Sequence, residues 1–446
     1  MSHVETVERV VNLLDPQANL IFNMNVAEAE ERVASGDPQR VKEIDGQFAI
    51  LARVGRSVRM ARSIGRPMRY FLAKLAAGPC LIVAERIDEI AGWLRQNGLL
   101  GQFHPSYTRM VPAHYLLELR LLGCPDPNPQ QDRFFSPPRN QWSTDLDEIG
   151  VKYIGMLAEK IDRWLDGIDP HEPLGVLFSG GVDSGAVFLT LYHRLLSRGE
   201  SPSRLKAFTL SVEGRGADAA QAEQFLSPLR LSLFGEVLEV PRTAIDYRAA
   251  VKLIEDYKPL DVQSAAMCDA LCAAIRQRYP DWTYLIDGDG GDENLKDYPI
   301  HENPELTIRS VLNNCLLYQE GWGVEAVKHS LTYSGGQSRG HVRSYAPGRR
   351  HGFRGFSPFA LPEVIAVAEG IPFIALTDWS EKRLYELKGE IVRRGTKAVT
   401  GFDLPVFPKR RFQEGVVGTD ELSQLFPTQE RAYREAFAAL YDDAAR

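Results

Sequence analysis

Two short segments carry residues suited to gripping a polyphosphate. The first is LFSGGVDSG, residues 177–185. An apolar run ends there, two glycines turn the chain, and an amphipathic stretch begins. That order points backbone amides into one concavity at a helix N-terminus, a natural seat for an anion. Gly180 and Gly181 let the main chain approach phosphate oxygens, and the hydroxyls of Ser179 and Ser184 add donors. It is not a Walker loop, because no G-x-x-x-x-G-K-[ST] occurs. The second segment is LIDGDGGDENL, residues 285–295, with Asp287, Asp289, Asp292 and Glu293 among three glycines. So many carboxylates repel one another unless a cation or hydrogen-bond donors neutralise them. Asp183 and Asp292 form the pair expected to hold Mg²⁺ against the phosphates. A calcium loop is disfavoured, since its spacing and its twelfth-position glutamate are absent.

For the two segments to meet, strands must deliver both to one edge. The runs LGVLF (174–178), LKAFTLSV (205–212), GEVLEV (235–240) and WTYLIDG (282–288) read as buried strands. Between them, GAVFLTLYHRLLSRG, ADAAQAEQFLSPL and MCDALCAAIRQRY have helical spacing, and LDEIGVKYIGMLAEKIDRWL (146–165) precedes them as a further helix. Alternating apolar strands and helices imply α/β architecture, a parallel sheet covered on both faces. Ligands bind such sheets outside the C-terminal strand ends, where both segments fall. From about residue 294 onward the pattern is mostly helical. Residues 334–356 read as a long irregular loop, of the kind that serves as a lid or binding loop.

Composition bounds the rest. The chain has 446 residues and 49.9 kDa, which favours two or three domains without disulfides or structural metals. A net charge of −7 argues against a protein built to coat nucleic acid. No run approaches the ~18 apolar residues of a membrane span, and the opening lacks the layout of a secretory signal. Five scattered cysteines, Cys80, Cys124, Cys268, Cys272 and Cys315, read as reduced thiols of a cytoplasmic protein. Cys268 and Cys272 lie four apart with no second ligand pair, which favours packing over zinc. His104 and His193 read as structural.

SGGVDS resembles the pyrophosphate loop of the N-type ATP pyrophosphatases, of adenine nucleotide alpha hydrolase-like fold. DGDGGDE resembles the corresponding acidic segment of asparagine synthetases and their relatives, the β-lactam and carbapenam synthetases and lasso-peptide cyclases. The likeness continues through SPFALPEVIAVAEGIPF (357–373), LYELKGEIVRR (384–394) and FPKRRFQEGV (407–416), so it spans about 146–416. It implies that ATP condenses with a substrate carboxylate to give an acyl-adenylate and pyrophosphate, and that an amine then displaces AMP. On this resemblance Ser179, Gly180, Gly181, Val182, Asp183 and Ser184 hold pyrophosphate, and Leu177, Leu210 and Gly288 cradle the nucleotide. Asp183 and Asp292 bind Mg²⁺, and Lys388 meets the phosphates and the charge of the transition state. Asp289 stands where asparagine synthetases have glutamate and β-lactam synthetases tyrosine. A carboxylate there can orient or deprotonate the amine, but from one methylene further back.

The N-terminal part departs further. Its β-prone runs GQFAILARV (46–54), SVRMARSI (57–64) and PCLIVAERI (79–87), followed by the helical IDEIAGWLRQNGLL, suggest a small antiparallel α+β domain. Residues 41–72 and 111–119 resemble the later parts of the family's glutaminase, an N-terminal nucleophile hydrolase-like domain. The processed N-terminal cysteine is missing, since position 2 is Ser2, and the glutamine-holding stretches are not found. The expected layout is a degenerate glutaminase-like remnant over 1–123, a proline-rich surface linker over 124–142, and a synthetase domain over 143–446. The amine then comes from the substrate, a second substrate or free ammonia. Arg339, Arg343, Arg349, Arg350 and Arg354, with His341 and His351, are candidates to close over ATP or hold an anion. Lys409, Arg410 and Arg411 follow the same logic. The expectation is an ATP-dependent amide- or lactam-forming ligase of specialised metabolism, acting on small-molecule or peptide carboxylates and amines. A partner-dependent peptide cyclase and a non-catalytic nucleotide-binding protein stay open, as do a homo-oligomer and a pathway partner protein. RNA modification is disfavoured.

Overall fold

The computed structural model describes residues 9–75, 78–120, 129–214, 216–297, 300–302, 306–313, 341–408, 412–417 and 419–441. The chain divides into two units. One holds Met1–Ser136 and a C-terminal segment from Arg434; the other holds Pro137–Lys328 and Ser338–Tyr433.

The first unit is built from β1 (Arg9–Asn12), β2 (Leu20–Ile21), β3 (Gly46–Gln47), β4 (Ala49–Val54), β5 (Ser57–Arg62), β6 (Arg69–Leu75), β7 (Gly78–Ala84), β8 (Arg109–Met110), β9 (Tyr115–Arg120) and β10 (Gln130–Arg133). Two four-stranded sheets result, ordered β1-β7-β6-β8 and β10-β9-β5-β4. Alternating side chains from both, among them Val58, Met60, Tyr70, Leu81, Val83, Leu117 and Leu119, share one apolar core. The pairing is antiparallel except that β1 runs parallel to β7. A purely antiparallel sheet is therefore corrected. The helix Ile87–Gln96 ends four residues short of the end of the expected stretch, at Asn97 and the left-handed Gly98. The expected linker is corrected in part. Its residues 130–133 add to β9 as β10, and Phe134 and Phe135 are buried, both meeting the His114 ring edge to face. Residues 121–128, with Cys124, lie outside the described residues.

The second unit centres on a parallel sheet of β11 (Leu174–Leu177), β12 (Leu205–Val212), β13 (Gly235–Val240), β14 (Tyr284–Ile286) and β15 (Arg354–Phe356). The order is β13-β12-β11-β14-β15, and every pair is parallel. After β11 the chain builds outward to β12 and β13, then returns to the other side of β11 for β14. The direction of winding thus reverses between β11 and β14, which opens a crevice at their C-terminal ends. Helices Leu146–Asp166, Val182–Ser197, Asp218–Leu226 and Pro259–Arg278 surround the sheet. The Leu146–Asp166 helix is capped by Asp145, whose carboxylate accepts from the N–H groups of Asp147 and Glu148. It crosses the helix Glu381–Thr400 closely where Gly150 meets Gly395, and this fixes the height at which Lys388 faces the sheet.

The irregular loop expected over 334–356 is corrected where it is described. Residues His341–Tyr345 form one wide helical turn, Ala346–Arg350 a short helix, and Arg354–Phe356 the fifth strand. Residues 334–340, including Arg339, lie outside the described residues. Among the described residues no helix is long and apolar enough to cross a membrane.

Candidate active site

The two loops singled out by composition leave adjacent strands and pack directly on each other. The 178–181 turn follows β11. Gln221 donates from Nε2 to the Ser179 carbonyl at 3.2 Å, and Thr209 donates from Oγ1 to the Phe178 carbonyl at 2.7 Å. Within it, Ser179 Oγ accepts from the Gly181 N–H at 3.3 Å and lies 3.4 Å from Ser184 Oγ. The helix Val182–Ser197 is capped at Gly181, so its first turn begins directly beside this crevice. The 287–293 turn follows β14. A side chain at Gly288 would stand 2.7 Å from the Ser184 amide nitrogen, and one at Gly291 would overlap the Asp183 carboxylate. Only glycine permits that approach. Leu177 ends β11, and Leu210 is buried in β12, next to β11.

Lys388 joins the two loops. Its ammonium donates to Asp183 Oδ2 at 2.6 Å and to Asp292 Oδ1, and it lies 3.4 Å from Asp297 Oδ2. The residue is 5% exposed, so it is no solvated helical lysine. Burial alone would pull its pKa down. Asp183, Asp292 and Asp297 outweigh burial and hold it charged well above the ordinary lysine range. Because one ammonium touches both Asp183 and Asp292, a single cation can also bridge these two carboxylates. Hard carboxylate oxygens beside a polyphosphate seat suit Mg²⁺, which takes one or two protein carboxylates and completes its shell with phosphate and water. Among the described residues no group of three or more His, Cys, Asp or Glu side chains forms a dedicated metal cage. The donor set fits a metal brought by a nucleotide.

Behind this layer sit Asp287 and Asp289 of the same segment, with serine partners that spacing did not reveal. Asp287 is 5% exposed and accepts from the hydroxyls of Ser344 (2.7 Å) and Ser357 (2.9 Å) and from the Asp289 N–H (3.0 Å). Burial and the Asp289 charge push its carboxyl up to about 8. Burial raises Asp289 as well, with Arg343 opposing. Ser344 and Ser357 flank β15, so the missed strand is what delivers them. Asn294 donates from Nδ2 to the Tyr153 hydroxyl and to the Phe359 carbonyl, and Tyr153 stacks on Phe359 at 5.6 Å, which pins the acidic turn to the Leu146–Asp166 helix.

Four of the basic residues expected to close over a nucleotide, Arg343, Arg350, His341 and His351, have other partners. Arg343 Nε donates to Asp261 at 2.9 Å, while Arg350 (3.0 Å) and His351 (2.9 Å) both meet Asp269. His341 stacks on Tyr345. The described part of this segment thus pairs with the Pro259–Arg278 helix. Lys409, Arg410 and Arg411 lie outside the described residues. Cys268 and Cys272 sit buried with sulfurs 4.0 Å apart.

Residues 169–344 match the family model for asparagine synthase. The matched stretch contains both loops and ends at Ser344. An asparagine synthase-like region of this kind marks an ATP-dependent ligase of carbon–nitrogen bonds. Lys388 lies beyond the matched stretch, and geometry alone brings it to the asparagine synthase-like loops. No curated protein matches the chain.

Proposed function

We propose that the protein adenylates a substrate carboxylate with ATP, releasing pyrophosphate, and then forms an amide or lactam as an amine displaces AMP. The observation that carries this reading is the meeting of Asp183, Asp292 and Lys388 at the strand ends where the winding reverses. The first-turn amides of the Val182–Ser197 helix and the hydroxyls of Ser179 and Ser184 hold the phosphates. Leu177, Leu210 and Gly288 line the nucleotide, and Asp183 and Asp292 hold Mg²⁺. A magnesium ion held by these two carboxylates would supply charge that offsets the phosphate oxygens. Lys388 does the same from the other side, a fixed charge aimed where charge builds as the bond between the first and second phosphorus atoms breaks. Asp289 orients the amine and receives its proton.

The amine arrives with the substrate, as a second substrate or as free ammonia. In the first unit Cys80 is fully buried in β7, and burial pushes its thiol up, which suits a packing residue rather than a nucleophile. This supports reading residues 1–123 as a glutaminase-like remnant that now serves as scaffold, in a cytoplasmic enzyme of specialised metabolism. The test is pyrophosphate release from ATP, screened over pools of amino acids and short peptides, with Asp292→Ala as control. Substrate-dependent release that the control lowers by about 10²-fold or more supports the reading. Release that ignores the control, or no release from any pool, overturns it.

A further inference from the structure

Ser344 stands between two carboxylates. Its Oγ lies 2.7 Å from Asp287 Oδ2 and 3.0 Å from Asp289 Oδ2. A serine hydroxyl has one hydrogen to donate. The Ser357 hydroxyl is directed at Asp287 Oδ2, and the Asp289 N–H at Asp287 Oδ1. With both acids ionised, one of the two contacts of Ser344 would set lone pair against lone pair in a buried place. The hydrogens suffice when the pair carries one extra proton. Asp287 then donates to Ser344 and Ser344 to Asp289, or the same chain runs in reverse.

The surrounding charges point the same way. Arg343 faces the pair from the His341–Tyr345 turn but also binds Asp261, which is 2% exposed. Asp292 and Glu293 act on Asp289 from the Gly291–Asn294 turn. From the Pro259–Arg278 helix comes Cys268, whose thiol is raised by its bond to Cys272 and by burial and so stays neutral. Lys388 holds Asp292, so the Arg343 guanidinium beside the pair is shared among Asp261, Asp289 and Glu293.

We propose that Asp287, Ser344 and Asp289 form a relay that holds one proton, with Asp289 accepting the proton that the attacking amine gives up. Its place in the reaction rests on the adenylation reading above. The amine nitrogen bonds to the acyl carbon, the carbon–oxygen bond to AMP breaks with its electron pair leaving on the phosphate oxygen, and the nitrogen's proton passes to Asp289 Oδ. Ser344 and Asp287 are positioning residues. With the shared proton on Asp287, the single charge of the pair rests on Asp289, which leaves it able to accept a proton.

Two readouts test the relay. The first is infrared difference spectroscopy of wild type against Asp287→Asn at pH 7. The carbonyl band of a protonated carboxyl, shifted in D₂O, is expected in wild type and missing from the variant. Lack of that difference overturns the shared proton, whether or not the protein adenylates anything. The second readout follows amide formation and ATP–pyrophosphate exchange against pH. Asp289→Asn is expected to lose amide formation by about 10²- to 10⁴-fold and to lose far less exchange. Asp287→Asn removes a titration near pH 8 from the amide step. Ser344→Ala displaces that titration, and Ser344→Thr, which keeps the hydroxyl, restores it. A Ser344→Ala profile identical to wild type overturns the relay while exchange still upholds adenylation. Absent exchange in wild type overturns adenylation and leaves the infrared band to decide the relay.

Discussion

Both units of the molecule bury charge, and they do so in opposite ways. In the first, Arg62, Arg66 and Arg69 are nearly inaccessible. Arg62 donates to the main-chain carbonyls of Val111, Ser63 and Arg66, while Arg66 pairs with Glu85 at 3.2 Å. Burial and the neighbouring Arg69 pull the Arg62 guanidinium down to about 9. In the second, Lys388 donates to carboxylates of separate loops. Carbonyl partners are parts of the backbone and cannot leave without unfolding it. Carboxylates at strand ends can exchange an ammonium for a metal or hand it to a phosphate. Burial of charge alone therefore does not mark a site; the freedom of its partners to change does.

The sharpest way to break this contrast is to remove one cation from each unit. Lys388→Met should lower pyrophosphate release by about 10²- to 10³-fold, measured with saturating ATP. Arg62→Met should leave turnover per folded molecule at the wild-type level. It should instead lower urea-unfolding stability by about 2 kcal/mol or more, because buried carbonyls lose their donors. Loss of turnover in folded Arg62→Met would erase the distinction. Next in size is Gly291→Ala, whose methyl group would overlap Asp183 and part the two loops. Its kcat/KM for ATP should fall by roughly 10-fold or more, with the change in folding stability too small to explain it. A pH-dependent effect concerns Asp287, whose folded pKa of about 8 lies above the ordinary carboxylate value of 3.8. Between these values the folded state binds more protons than the unfolded one, so stability should decline as pH rises from about 4 to 8. One proton limits the slope to about 1.4 kcal/mol per pH unit, and Asp287→Asn should remove that contribution in thermal melts. The smallest is Leu233→Ser at an 80% exposed position, which should stay within about 0.5 kcal/mol of wild type.

Much of the second unit was legible because local signals agree there. LKAFTLSV is rich in apolar residues and free of glycine and proline, and it forms β12 over the expected residues. Glycines beside Ser179, Asp183 and Asp292 announced turns that approach each other, and they do. The fifth strand was not legible. Arg354, Gly355 and Phe356 carry no strand pattern of their own, and their pairing with Tyr284–Ile286 depends on chain far away in sequence. β1 is similar, since its four residues acquire their meaning from β7. Ser344 and Ser357 were hidden for the same reason: nothing in a basic stretch ties them to Asp287 until β15 lies beside β14. The partners of the arginines could have been read. Asp261 and Asp269 stand eight apart on one helix and so share a face, an acidic stripe waiting for Arg343 and Arg350.

The grip of Lys388 on Asp183 and Asp292 has a consequence for the order of events. Lysine and divalent ion compete for one set of oxygens, so a bare magnesium ion must evict an ammonium and gains little by doing so. When the ion comes chelated to triphosphate, Lys388 can give up carboxylate for phosphate and lose nothing. On the proposed reading metal and nucleotide would bind as one cargo, and magnesium salts without ATP should leave the melting temperature almost where it was.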